Sequence, residues 1–152
     1  CKKLVQQHPD IQILIVGYGD DDAWVKTQLQ PYVGNIKMAG KVPFTDMPEI
    51  FAKSKVYVST SYYEGLPGTC LEAMATGLPA VVWDFPFYEA LVINHQTGKR
   101  VKPNDMDAMA VAIWEQLEQL AFDLTLKERV SQHVNAHYNW LTLAKQLLQV
   151  LH

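Results

Sequence analysis

Apolar residues along this chain fall first into short dense runs separated by turn formers, and past residue 105 into a helical rhythm. The run Ile11-Gln12-Ile13-Leu14-Ile15-Val16 is β-branched and nearly continuous, the pattern of a strand buried on both faces of a parallel sheet. Four further runs, 36–40, 56–59, 80–83 and 98–101, predict strands of the same kind. Helices are predicted between them. One covers about residues 1–7 and stops at His8-Pro9-Asp10, because the residue before a proline is pushed out of the helical region. Others cover 22–30 behind the aspartates Asp20 to Asp22, 47–52 behind Thr45 or Asp46, and 68–76. The last is closed by Gly77, with Pro79 just beyond. From Asp105 onward Met106, Met109, Ala110, Ile113, Leu117 and Leu120 share one helical face, and two more helices are predicted over 125–138 and 141–151. Strands alternating with helices of this length imply right-handed crossovers and a doubly wound α/β sheet. With no internal repeat, low-complexity tract or linker, residues 1–152 read as a single domain.

Composition narrows the partners. With 49% hydrophobic and 19% charged residues in 152, the chain can bury one ordinary core. A formal net charge of -3 offers no basic surplus, so nucleic acid is not an expected partner. No apolar run approaches the roughly 20 residues needed to span a bilayer. Cys1 and Cys70 make no disulfide framework, which fits a reducing, cytoplasmic setting. The chain opens on Cys1 inside a helical pattern, which reads as a piece cut from a longer protein.

In a parallel α/β sheet, ligands bind beyond the carboxyl ends of the strands, which draws attention to residues 17–22, 60–69 and 83–89. Gly17-Tyr18-Gly19 lacks the third glycine of a dinucleotide fingerprint. Asp20 to Asp22 stand where a pyrophosphate would sit, each like-charge contact unfavourable by about 1 kcal/mol even in water. They read as a solvated helix start favoured by the macrodipole rather than as a metal-holding Asp-x-Asp. The glycines still permit close backbone approach to a ligand. The second loop is richer: Glu64 precedes the 68–76 helix, Glu72 is expected in its first turn, and the amides of Gly68, Thr69 and Cys70 lie between them. Two acceptors flanking an anion cradle suit a ligand with hydroxyls at both ends and phosphate in the middle, which is the form of a nucleotide sugar. The alternative is structural: Thr69-x-x-Glu72 is a capping box that would consume both the carboxylate and an amide.

Other candidates read as packing or surface. His133 and His137 stand at i, i+4, a metal-compatible spacing, but without the glutamate of an HExxH pattern they read as a solvated pair. Cys70 lies at a helix start, where thiolate is favoured, yet no base partner is evident. Trp114, Trp140, Met106 and Met109 read as core or interdomain packing, and Tyr62-Tyr63 as either a sugar-pocket wall or a buried aromatic wall.

The stretch Glu64-Gly-Leu-Pro-Gly-Thr-Cys-Leu-Glu72-Ala-Met-Ala-Thr-Gly77-Leu-Pro79 resembles the E-x7-E signature of retaining GT-B glycosyltransferases, glycosyltransferases group 1. The resemblance covers nearly the whole chain. Pro9-Asp10 with Ile13 to Gly19, Gly40 with Pro43 and Phe44, Met47 to Ser59, and Gly98 to Pro103 resemble further segments of that pattern. It implies an α/β fold with a Rossmann-like doubly wound parallel sheet, the C-terminal, donor-binding half of a GT-B enzyme. The first strand, with the arginine and lysine that grip the diphosphate, would lie upstream of Cys1. By the same resemblance Glu64 would orient the donor sugar as the catalytic residue, and Glu72 would accept from the ribose hydroxyls. Gly68, Thr69 and Cys70 would hold sugar and distal phosphate, and the base would lie near Gly17, Gly40 and Val42. No metal and no cofactor beyond the nucleotide-sugar donor are implied. The partner would be the protein's own N-terminal acceptor-binding domain, and a peripheral membrane association would run through that half. The fragment alone would transfer no sugar. The rival reading is a non-catalytic GT-B-like binding or scaffold module. Pro67, which has no N–H to give, and the bulky segment 83–89, in which Glu89 matches the pattern, are departures from it.

Overall fold

The computed structural model describes residues 1–139. The chain divides into two compact units, one of Cys1–Met47 and one from Pro48 onward.

In the first unit α1 (Lys2–Gln7) stops at His8, as the following proline requires. After it come β1 (Ile13–Val16), α2 (Asp22–Leu29) and β2 (Ile36–Gly40). The two strands pair in parallel from Ile13 opposite Ile36, and the register slips between Ile15 and Val16 so that Val16 faces Gly40. Asn35 Nδ2 donates to the carbonyls of Pro9 and Ile11 at 2.6 and 2.9 Å, fixing where β1 starts beside β2. The apolar run of β1 is not buried on both faces as expected. It alternates half-buried and exposed positions, with Leu14 at 43% and Val16 at 37% exposure, because its hydrogen-bonded neighbour lies on one edge and only one of its faces is covered. No aspartate side chain caps α2. Asp22 Oδ1 instead accepts the Gly19 amide at 3.1 Å.

A 3-10 turn at Phe44–Asp46, itself without a side-chain cap, leads into α3 (Met47–Lys53), and there Thr45 Oγ1 donates to Asp46 Oδ1 at 3.0 Å. The second unit then adds β3 (Tyr57–Ser59), α4 (Gly68–Ala75), β4 (Ala80–Trp83), β5 (Gly98–Val101), α5 (Met106–Phe122) and α6 (Leu126–Tyr138). Its sheet runs β3-β4-β5, parallel throughout. β4 is the centre and is buried at every position, which explains its unbroken apolar sequence. Ala80 and Val82 face a core with Met74, Leu91, Leu126 and Val130, while Val81 and Trp83 face one with Val101, Met109 and Ala112. Helices α4 and α6 thus cover one face of this sheet and α5 the other. On α5 the buried stripe is Met109, Ala110, Ala112 and Gln116, while Met106, expected on that stripe, is half exposed at the first turn.

Local signals explain the ends. Gly77 closes α4 at φ +89°, its amide bonded to Met74 O at 2.9 Å and that of Leu78 to Ala73 O at 3.2 Å. Asp105 caps α5, accepting the Ala108 amide at 2.9 Å. The chain is therefore α/β with parallel sheets, Rossmann-like in class. The helix expected over 141–151, and Trp140 before it, lie outside the described residues.

Candidate functional site

In the second unit the loop leaving β3 at Ser59 descends to Pro67, and α4 begins at Gly68. Proline at this N-cap position presets the turn but donates nothing. The Gly68 amide is already bonded to Leu66 O at 2.7 Å, and Pro67 O accepts Leu71 N at 3.0 Å. Among the described residues the amides of Thr69 and Cys70 have no hydrogen-bond partner, so two of the three expected donors are open.

The capping box does not form. No side chain caps α4, and Glu72 is the fifth residue of the helix, in its second turn rather than its first. Its half-buried carboxylate lines a groove of about 220 Å³ with Leu71, Ala75, Val134 and Tyr138. Glu64 is half-buried as well, and among the described residues neither glutamate has a hydrogen-bond or ion-pair partner. Cys70 is not a thiolate at neutral pH. Burial pushes its thiol up to about 12, the negative charge of Glu64 adds to the effect, and its Sγ packs 3.7 Å from Met74 Sδ. The helix dipole loses to desolvation because the sulfur points into the core, only 1% exposed.

Around Glu64 the strand ends are tied to one another. Tyr88 donates to Ser59 Oγ at 3.0 Å, and burial raises its phenol against that hydrogen bond. The Tyr62 ring lies 5.9 Å from Phe85, and its hydroxyl bonds Asn104 Oδ1. Tyr63 is 86% exposed and forms no buried wall. Arg100 on β5 pairs with Asp84 at 3.2 Å and Glu89 at 3.8 Å, which gives Glu89 a structural partner. Sequence reasoning missed Arg100 and Asn104. Nothing in the spacing announces contacts between residues 42 positions apart.

The first unit brings Gly17 and Gly40 together at the carboxyl edge of β1 and β2, with Val42 two residues further along the chain. The Gly17 amide bonds Gly40 O at 2.9 Å, and the two stand at φ +133° and +67°, conformations that favour glycine. A Cβ on either would meet nothing within 4 Å, so the backbone there is open. Lys41 Nζ lies 5.5 Å over the Tyr18 ring. Asp20 and Asp21 are solvent-exposed and Asp22 is half-buried, and among the described residues no three His, Cys, Asp or Glu side chains gather to hold a metal.

Residues 1–134 match the family model of glycosyl transferases group 1. The chain belongs to that family. A group 1 relative, the phosphatidyl-myo-inositol mannosyltransferase of Mycolicibacterium smegmatis, is 29% identical over 149 residues, 97% of this chain but 38% of the relative. This group 1 chain thus spans well under half the length of that protein. Sucrose-phosphate synthase from Thermosynechococcus elongatus is similar in structure at TM-score 0.83 and 27% identity, over 98% of this chain and 40% of that one. S. aureus TarM, solved in complex with UDP, shares the fold at TM-score 0.85 and 18% identity, over 96% and 30%. Among the described residues no helix is long and apolar enough to cross a membrane.

Proposed function

We propose that this chain is the donor-binding part of a retaining glycosyltransferase, and that the start of α4 holds the diphosphate and sugar of a nucleotide sugar. One observation carries the reading: among the described residues Glu64 and Glu72 have no hydrogen-bond partner, and the Thr69 and Cys70 amides that lie between them in sequence are unbonded at the start of α4. Unbonded donors at the positive end of an eight-residue helix attract phosphate. Unbonded carboxylates accept sugar hydroxyls. The names of the relatives point the same way, since one is a mannosyltransferase and TarM was solved with UDP.

In this mechanism Glu64 accepts from hydroxyls of the donor sugar, fixes its orientation and stabilises positive charge developing on the ring. Glu72 accepts from the ribose hydroxyls. The acceptor hydroxyl attacks from the face the phosphate leaves, and the departing phosphate oxygen takes its proton. Glu64 is therefore no nucleophile, and the anomeric configuration is retained. The helix dipole stands in for a metal at the diphosphate. The acceptor-binding half belongs to the longer protein, so the isolated chain binds a nucleoside diphosphate weakly and transfers no sugar.

Calorimetric titration with UDP, GDP and ADP, then with their sugars, tests the reading and identifies the base. Glu72→Gln is expected to weaken nucleotide binding by about 1.5–3 kcal/mol, the worth of hydrogen bonds to a charged acceptor. Its melting temperature should hold, because Glu72 bonds nothing among the described residues. A variant that melts lower yet binds as before would return Glu72 to a structural role and leave a scaffold module.

A further inference from the structure

Helix α6 carries His133 and His137, four residues apart and therefore on one face. Each ring has one nitrogen committed. His133 Nε2 lies 2.9 Å from Ala90 O, and His137 Nδ1 lies 2.9 Å from His133 O. A carbonyl oxygen can only accept, so each committed nitrogen carries the proton. In the neutral imidazoles this leaves His133 Nδ1 and His137 Nε2 as unprotonated lone pairs. Metal-ligating histidines are oriented in this way, the far N–H donated to a backbone carbonyl and the tautomer thereby fixed.

The spacing of the rings fits the same purpose. A metal 2.0–2.1 Å from a ring nitrogen stands about 3.2 Å from the ring centroid, so two imidazoles at 90–109° on one ion have centroids about 4.5–5.2 Å apart. The observed separation is 4.8 Å, with the planes inclined by 40°. His137 is exposed and His133 half-buried, which leaves the remaining positions of such an ion to water.

We propose that His133 and His137 form a two-imidazole site for a borderline divalent transition metal, Zn²⁺, Cu²⁺ or Ni²⁺. The bound ion would staple successive turns of α6 and, through the second nitrogen of His133, anchor that helix to the Ala90 carbonyl. Imidazole suits these ions better than Mg²⁺ or Ca²⁺, which take oxygen ligands. The site is independent of the donor-binding reading and stands or falls without it.

Zn²⁺ titration of the chain bearing Cys1→Ser, which removes the exposed competing thiol, tests the proposal. One ion per chain should bind. His137→Gln and His133→Gln should each lower its affinity about 10–100-fold or more, since losing a ligand exceeds losing its outer-shell partner. His95→Gln should leave the affinity unchanged. Cu²⁺ loaded at one equivalent should show two nitrogen ligands by electron paramagnetic resonance, and one in either variant. Should His133→Gln unfold for want of its Ala90 hydrogen bond, His137→Gln decides alone. Wild-type affinity in His137→Gln overturns the site.

Discussion

The clearest contest at the scale of single residues is at Cys70. A helix start favours the thiolate, but that stabilisation is at most about 1–2 kcal/mol and presumes a group facing the amides. Here the sulfur is turned into the core beside Met74 and Val82. Its ionisation moves from the ordinary 9.0 to about 12. The sign follows: a group raised in the folded state contributes stability that is complete below pH 9 and is lost as pH climbs toward 12. A thiol reagent at pH 7.5 should therefore modify exposed Cys1 promptly, and Cys70 only at the rate of global unfolding. Two equally fast thiols would mean that the start of α4 is open. Glu72 is the complementary case. Spacing left capping box and ligand acceptor equally open, and the helix start, two residues earlier than a Thr69 capping box needs, removes the first of them.

Elements of secondary structure succeed here where a local rule and the tertiary contact agree. Gly77 was legible because its left-handed φ of +89° is a property of its own backbone. Gly98 was not. It has no unusual φ, yet a Cβ there would stand 2.0 Å from Ala80 O and 2.9 Å from Ala80 N. The glycine is what lets β5 lie against β4 in the register that opposes Ala80 to Gly98. Gly98→Ala should destabilise by about 3 kcal/mol or more, since the clash is with backbone that cannot swing aside. Gly65→Ala, with nothing within 4 Å, should be nearly neutral in the same chemical denaturation series. Equal midpoints for the two would refute the strand-packing account.

Across the whole molecule, stability is concentrated where burial is. Ala80 to Trp83 are 0% exposed and hydrogen-bonded to a neighbour on each edge, while β1 pairs on one edge and exposes alternate residues. Amide exchange should find Val81 and Val82 among the slowest sites, opening only with global unfolding. Ile15 and its β1 neighbours should exchange by smaller, local openings. Uniform protection of both strands would contradict this. The same contrast shows what patterning misses. The runs 11–16 and 80–83 look alike in sequence, yet only the second is covered on both faces, because coverage depends on which helices come to rest there.

Period, caps and turn formers by themselves determined the order and class of the elements, from α1 through α6, and placed Glu64, the α4 start and Glu72 in one segment. Those are local quantities, written in φ/ψ preference and in the spacing of apolar side chains. Tertiary structure decided everything that depends on approach between distant residues. It tied the strand ends beside the α4 start to one another through the Tyr88 to Ser59 hydrogen bond. It buried Cys70, set Arg100 between Asp84 and Glu89, joined Tyr62 to Asn104, and brought His133 Nε2 of α6 to the Ala90 carbonyl. A one-dimensional pattern states which groups the chain owns. Which of them keep a free lone pair or an unspent N–H is settled only when every neighbour has taken its place.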